Sequence, residues 1–235
     1  MRCLSYMAAL FVAGCSFWIG GITGSGKLLT KTLSLGEFNK IDASGAFQVD
    51  VTQGATCSVV VTADDNVWDS LDVRNDGGTL YLGTKSGSYS NTHLSARIVL
   101  PHLSALTLSG ATNGTIDGFN DAAGQMDLTV DGASKLEGEL RQARVTLDIA
   151  GASTATLHGT AESLHITLSG ASHSGLEDLP SDDVRADISG ASNATVTARR
   201  KLDYDVSGAS HLSYTGSPTV GQADVSGASS VTSTQ

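Results

Sequence analysis

One phrase recurs along the second half of the chain, a short apolar stretch followed by Gly-Ala-Ser or a close variant. It reads Leu106-Thr-Leu-Ser-Gly110-Ala-Thr, then Leu128-Thr-Val-Asp-Gly132-Ala-Ser and Leu147-Asp-Ile-Ala-Gly151-Ala-Ser. It returns around Gly170, Gly190, Gly208 and Gly227, with glycine-to-glycine steps of 22, 19, 19, 20, 18 and 19 residues. A period near 20 that survives small slips marks a repeat architecture, and it constrains the fold more than any local propensity.

Aligned on the glycine, the positions form columns. Two residues before it stand Leu108, Val130, Ile149, Leu168, Ile188, Val206 and Val225, all apolar. Four before it stand Leu106, Leu128, Leu147, Ile166, Ala186, Tyr204 and Ala223. Between them are Thr107, Thr129, Asp148, Thr167, Asp187, Asp205 and Asp224, all polar. In-out-in alternation describes a strand with one buried face. The glycine suits a tight corner at positive φ, and the alanine after it is small enough for a crowded interior. A second polar–apolar run follows each corner, as in Ser153-Thr-Ala-Thr-Leu157. The expected fold is all-β, a right-handed parallel β-helix or β-solenoid with rungs of about 19–20 residues, stacked roughly 4.8 Å apart. A leucine-rich repeat would need a fixed Asn or Cys and a helical return, and neither is present. A β-sandwich with evenly spaced strands is the competing reading; seven matched columns favour the solenoid.

At 235 residues with a net charge of −10, the chain lacks the basic surface that nucleic-acid backbones demand. Its start carries one positive charge and then a short apolar run ending at Cys15, too short to span a bilayer and suited to a secretory signal. Val12-Ala-Gly-Cys15 resembles the bacterial lipobox. That resemblance implies cleavage before Cys15 and its lipidation, with residues 1–14 as signal peptide. The alternative is an ordinary signal peptide cut at small residues. Ser16 after the cysteine, by resemblance to the lipoprotein sorting pattern, implies the outer membrane. Residues 15–32 then read as a flexible glycine-rich tether. Gly21 to Leu28 nearly spells a phosphate-binding loop, but Leu28 stands where a hydroxyl residue is required, and no strand–loop–helix context surrounds it. Cys57, in the strand-like Thr56-Cys-Ser-Val-Val-Val61, reads as a small buried hydrophobe with no base beside it to make a reactive thiolate.

Residues 33–105 are expected to form an irregular first part of the solenoid and residues 106–235 its regular rungs. Ser-Gly45-Ala already supplies a corner. Strands are expected at Ser58–Thr62, Thr79–Thr84 and Ala96–Leu100, and a short helix across Asp64–Leu71. Several runs carry a more specific signal: Phe38…Ile41-Asp-Ala-Ser-Gly-Ala-Phe, Val49-Asp-Val-Thr-Gln-Gly54, Val59-Val-Val-Thr-Ala-Asp-Asp-Asn66, Gly78-Thr-Leu and the repeated Ser-Gly-Ala-Ser. With these runs the chain resembles the family described as "putative auto-transporter adhesin, head GIN domain" over about residues 28–235. The resemblance implies a right-handed β-helical domain on a secreted or lipid-anchored bacterial protein, with no catalytic residues to carry over.

Candidate chemistry is sparse. Asp187, Asp205 and Asp224 fall on consecutive rungs, and stacked carboxylates are hard oxygen ligands that Ca²⁺ could bridge; otherwise they form a solvated acidic face. His173 and His211 are separated by the Asn193 rung, too far apart for easy joint metal ligation. Arg199-Arg-Lys201 is expected in a rung-to-rung connection, and Glu177-Asp178 and Asp182-Asp183 in a loop insertion around Pro180. Two functional readings follow. One is a non-catalytic, lipid-anchored envelope module that binds glycan or an envelope protein or serves structurally. The other is a polysaccharide-cleaving β-helix, which needs a cleft joining Asp or Glu with Arg or Lys on one face. The last rung, Val225–Gln235, carries no obvious cap, so a capping loop or end-to-end pairing of two copies is expected there.

Overall fold

The computed structural model describes residues 21–234. Those residues form a β-solenoid of about seven turns built from stacked parallel coils. The alternating columns dictate this. Asn113–Val130, Lys135–Ile149, Thr154–Leu168, His173–Ile188 and Asn193–Val206 each run from one glycine corner to the next. Each pairs in parallel with the rung on either side. Leu106, Leu128, Leu147, Ile166, Ala186, Tyr204 and Ala223 come into one register. From Leu106 to Ala186 that column is buried, as are Leu108 to Val206 two positions on.

At the corners two constraints coincide. Gly132, Gly151, Gly170, Gly190 and Gly208 all have φ between +74° and +83°. A Cβ on Gly151 would stand 2.4 Å from the carbonyl oxygen of Gly132, and the same distance recurs from Gly170 to Gly208. The backbones approach this closely because the following alanine N–H donates to the glycine carbonyl of the rung before, as from Ala152 to Gly132 at 2.8 Å.

The alanine is not interior, as the sequence suggested. Ala111, Ala133, Ala152, Ala171, Ala191 and Ala209 are exposed, and the next residue turns inward instead. Thr112, Ser134, Ser153, Ser172, Ser192 and Ser210 are all buried. The tight corner leaves the N–H of this residue without a ladder carbonyl, and the hydroxyl one rung further on accepts it. Thr112 donates to Ser134 Oγ and Ser134 to Ser153 Oγ, each at 3.2 Å, and Ser192 to Ser210 Oγ at 3.3 Å. A hydroxyl is chosen here because a buried, unpaired backbone donor is expensive.

The segment between Gly54 and Pro101 folds back over the first rung, Lys40–Ala43 with Phe47–Gln53. Leu94–Leu100 pairs in parallel with Phe47–Gln53, then Ser58–Asp64 and finally Leu28–Leu33 add antiparallel. Thr79–Leu82 joins Lys40–Ala43, and Leu71–Asp76 returns as a hairpin through Gly77 and Gly78, both at positive φ. This insertion caps the N-terminal end. The expected helix over Asp64–Leu71 reduces to a single 3₁₀ turn, Trp68–Ser70, because Asp64 is drawn into the preceding strand. The tether reading also fails within the described residues. Ile22–Thr23 pairs with Tyr89–Ser90, and Leu28–Leu33 is a strand. At the opposite end, Thr219–Val225 and Ser230–Ser233 each pair on one side only, and nothing among the described residues covers them.

Two serines separate the roles of buried hydroxyls. Ser153→Ala leaves the Ser134 N–H unpaired and is expected to cost about 1–3 kcal/mol. Ser174 Oγ is buried with no partner between Ala155 and Ala194, so Ser174→Ala should be neutral or stabilising. Urea midpoints of the two variants decide this; equal losses would refute the assigned roles.

Candidate functional site

The solenoid presents two outward strand faces, one before and one after the glycine corner, and each sequence column becomes a ladder on one of them. On the face before the corner, Asp187, Asp205 and Asp224 are adjacent on consecutive rungs, as the spacing predicts. Their surroundings differ. Asp187 accepts from Arg185 Nε and Nη2 at 3.0 and 2.9 Å and lies 3.0 Å from His165 Nε2. Asp224 accepts from the Gln222 side chain at 2.9 Å. Among the described residues no group of three or more His, Cys, Asp or Glu is arranged to hold a metal ion.

The same face carries the chain's basic cluster. Arg199, Arg200 and Lys201 lie within the strand Asn193–Val206, not in a connection between rungs; pairing resumes at Lys201 after an irregularity that takes in Arg199 and Arg200. Asp182 and Asp183 likewise belong to the strand His173–Ile188, where the extra residues around Pro180 are absorbed as a register shift between Leu176 and Ser181. Arg200 therefore reaches across the rung to Asp183, and Arg199 to Asp182 at 3.7 Å. Lys201 pairs with Asp203. The Arg200 guanidinium holds Asp183 below the usual carboxylate range, and Lys201 with the Gln222 N–H does the same for Asp203. A shallow groove of about 360 Å³ runs between Arg144, His165, Asp183, Arg185, Lys201 and Asp203. A second, of about 480 Å³, joins Glu139 and Arg141 beside Phe119. Acid and base thus share a groove in both places. In the first, both carboxyls are ionised acceptors already held by cations, whereas a general acid needs a raised pKa.

The face after the corner is different in kind. Asn113, Lys135, Thr154, His173, Asn193, His211 and Ser230 form one ladder, and the Asn193 rung does stand between the two histidines. On the last three rungs the outward positions are Asn193, Thr195 and Thr197, then His211, Ser213 and Thr215, then Ser230, Thr232 and Thr234. This grid holds no carboxylate, lysine or arginine, on a chain of net charge −10. Neighbouring hydroxyls bond along it, Thr197 to Thr215 at 2.6 Å and His211 Nδ1 to Ser230 at 2.8 Å. Rungs about 4.8 Å apart and outward residues about 6.6 Å apart along a strand give a regular array of donors and acceptors.

Cys57 is only half-buried, in a groove with Leu35 and Phe38, its Sγ 3.9 Å from the Phe38 carbonyl oxygen. Cys15 lies outside the described residues.

The sequence did not disclose the clasp at the N-terminal end. Asp64 is fully buried and accepts from the N–H groups of Gly26 and His93, both at 2.7 Å. Asn66 accepts from Ser25 N–H and donates to the Thr23 carbonyl. A Cβ on Gly24 would stand 2.3 Å from the Asn91 carbonyl oxygen and 2.7 Å from the Asp64 carboxylate. The glycines that imitate a phosphate loop therefore wrap an aspartate instead. Asp64-Asp-Asn66 and the glycine run were both legible, but their partnership spans about 40 residues and needs the fold to be seen.

Stacked parallel coils with flat polar faces and shallow grooves place the chain among β-solenoid repeat proteins. The chain belongs to the family described as "putative auto-transporter adhesin, head GIN domain", whose model matches residues 37–218. Among solved structures it is similar to one described as a putative adhesin from Bacteroides fragilis NCTC 9343, with 24% identity over 91% of this chain and 100% of that one and a TM-score of 0.84. A structure from Parabacteroides distasonis ATCC 8503 described as a putative lipid binding protein has 17% identity over 91% and 99%, with a TM-score of 0.73. A putative adhesin from Parabacteroides merdae ATCC 43184 has 20% identity over 92% and 99%, with a TM-score of 0.70. These likenesses establish the fold. No curated protein matches the sequence.

The two N–H bonds and the facing His93 hold Asp64 below the usual carboxylate range. A depressed folded pKa contributes stability that is present above about pH 4 and is lost as the pH falls through the folded value. Asp64→Asn replaces one accepting oxygen by an amide donor facing a donor. Hydrogen-exchange protection at Gly26 and His93 should fall in this variant at neutral pH. In the wild type it should fall only in acid, and unchanged protection in Asp64→Asn would refute the clasp.

Proposed function

We propose that this chain is a non-catalytic binding module of the bacterial cell envelope, held to the outer membrane by a lipid on Cys15, and that its uncharged hydroxyl grid engages an envelope or host glycan. The observation that carries this reading is the array on rungs 193–234, free of carboxylates, lysines and arginines on an otherwise acidic chain. Neutral sugars offer hydroxyls at spacings such a ladder can meet with many weak bonds, and a rigid array loses little freedom on binding. Family membership supports an adhesin-like role at the envelope or cell surface. In the groove on the other face, Asp183 and Asp203 are already paired with cations and held low, which supports binding over cleavage there. Asp42, at the N-terminal end of the same face, is instead raised by burial and has no cation within ion-pair distance. The description of one structural neighbour as lipid-binding is compatible with a molecule that works beside a membrane.

A glycan array probed with the wild type and with Thr195→Glu/Ser213→Glu tests the grid. Binding to neutral glycans that is lost in the double variant is expected; binding that survives would move the contact elsewhere. Metabolic labelling with a palmitate analogue tests the anchor. Label and membrane association should both disappear in Cys15→Ala, and an unlabelled wild type would end the lipoprotein reading.

A further inference from the structure

Among the described residues the exposed large hydrophobic side chains are Leu28 (57% exposed), Leu29 (39%), Val220 (39%) and Val225 (48%). None lies on the sides of the solenoid; two stand at each end. The pair at the N-terminal end is the more demanding to explain. Leu28 and Leu29 open the outermost strand of that end, where an apolar edge invites aggregation and polar residues are the usual remedy.

We propose that this N-terminal end is a membrane-contact surface, with Leu28 and Leu29 entering the headgroup region of a bilayer and Lys27 and Lys31 meeting anionic headgroups beside the Trp68 ring. Three observations converge. The first is the chemistry. Lys31 Nζ lies 4.3 Å from the Trp68 ring centroid, and Trp68 Nε1–H donates to the Leu29 carbonyl at 3.2 Å. Leucine, tryptophan and lysine side by side are what an interfacial contact uses, apolar groups entering, an amphipathic ring at the boundary and ammonium groups on phosphates.

The second is charge. The whole chain, at −10, is repelled by an anionic bilayer, yet two lysines flank the exposed leucines. Of the nearby acids Asp64 is buried, while Asp65, which accepts from Ser25, and Asp69 are exposed beside the two lysines.

The third is position. Ile22 N–H donates to the Ser88 carbonyl and Gly24 N–H to the Ser90 carbonyl, fixing the start of the described chain at this end. Six residues lie between Cys15 and Ile22, so the seven steps reach at most about 25 Å. If Cys15 carries the lipid, this end is the one held near the bilayer, and the uncharged grid at the far end projects away from it. The contact is compatible with the anchor but does not depend on it.

The test uses the full-length chain with Trp18→Phe, which leaves Trp68 as its single tryptophan. The protein is reconstituted in vesicles of phosphatidylethanolamine and phosphatidylglycerol. The expected result is a blue-shifted Trp68 emission, quenching by shallow brominated lipid and loss of quenching by aqueous iodide. Leu28→Ser/Leu29→Ser should restore iodide quenching while the palmitate-analogue label and vesicle association persist. Trp68 that stays open to iodide in labelled, vesicle-bound protein overturns the proposal. So does protection that ignores the two leucines, or protection that appears without vesicles as copies associate. A chain without label at Cys15 is assayed on the same vesicles, where leucine-dependent protection still supports the contact and its absence overturns it.

Discussion

The structure depends on how closely one rung's backbone can approach the next at the glycine corner. With the chain at positive φ and the carbonyl of the preceding rung 2.4 Å from where a Cβ would sit, a side chain there would hold the coils apart and break the ladder on both adjoining faces. The corner satisfies itself on both sides. The alanine N–H reaches the glycine carbonyl of the rung before, and the buried serine N–H reaches the hydroxyl of the rung after. Closing the corner with hydrogen bonds leaves the flanking strands free to bury one column of aliphatic side chains and expose the other.

That division governs what the surface can do. A solenoid side is flat, so its grooves are shallow, and residues meet there by register across rungs. On one face register brings Arg200 to Asp183 and Arg199 to Asp182, turning what would be two like-charged runs into cross-rung pairs. On the last three rungs of the other it aligns hydroxyls, an amide and an imidazole into a grid without carboxylate, lysine or arginine. The ends are where the repeat stops satisfying itself. The N-terminal end is closed by an insertion that changes from parallel to antiparallel pairing and is fastened by Asp64. At the C-terminal end the last strands pair on one side only among the described residues.

Much of this was legible in the sequence. The columns fixed the inward and outward faces, and the adjacency of Asp187, Asp205 and Asp224 followed from counting residues. The errors fall where side-chain direction at a corner or a distant partner decides. Ala152 and Ser153 are both small, and only the geometry of the turn says that the polar one faces inward. Leu28–Leu33 follows a run of glycines that reads as tether, because its partner strand begins 25 residues after it ends.

The sequence by itself determined the repeat, the rung length and the division of each strand into core and surface, because a period of two within a period of about 19 has few physical solutions. The tertiary structure decided which small residue fills the corner, how the glycine run wraps Asp64, and which charges neutralise each other across rungs. Those depend on contacts between residues 17 to 67 positions apart, such as Arg200 with Asp183 or Thr23 with Ser90, and no local pattern encodes them.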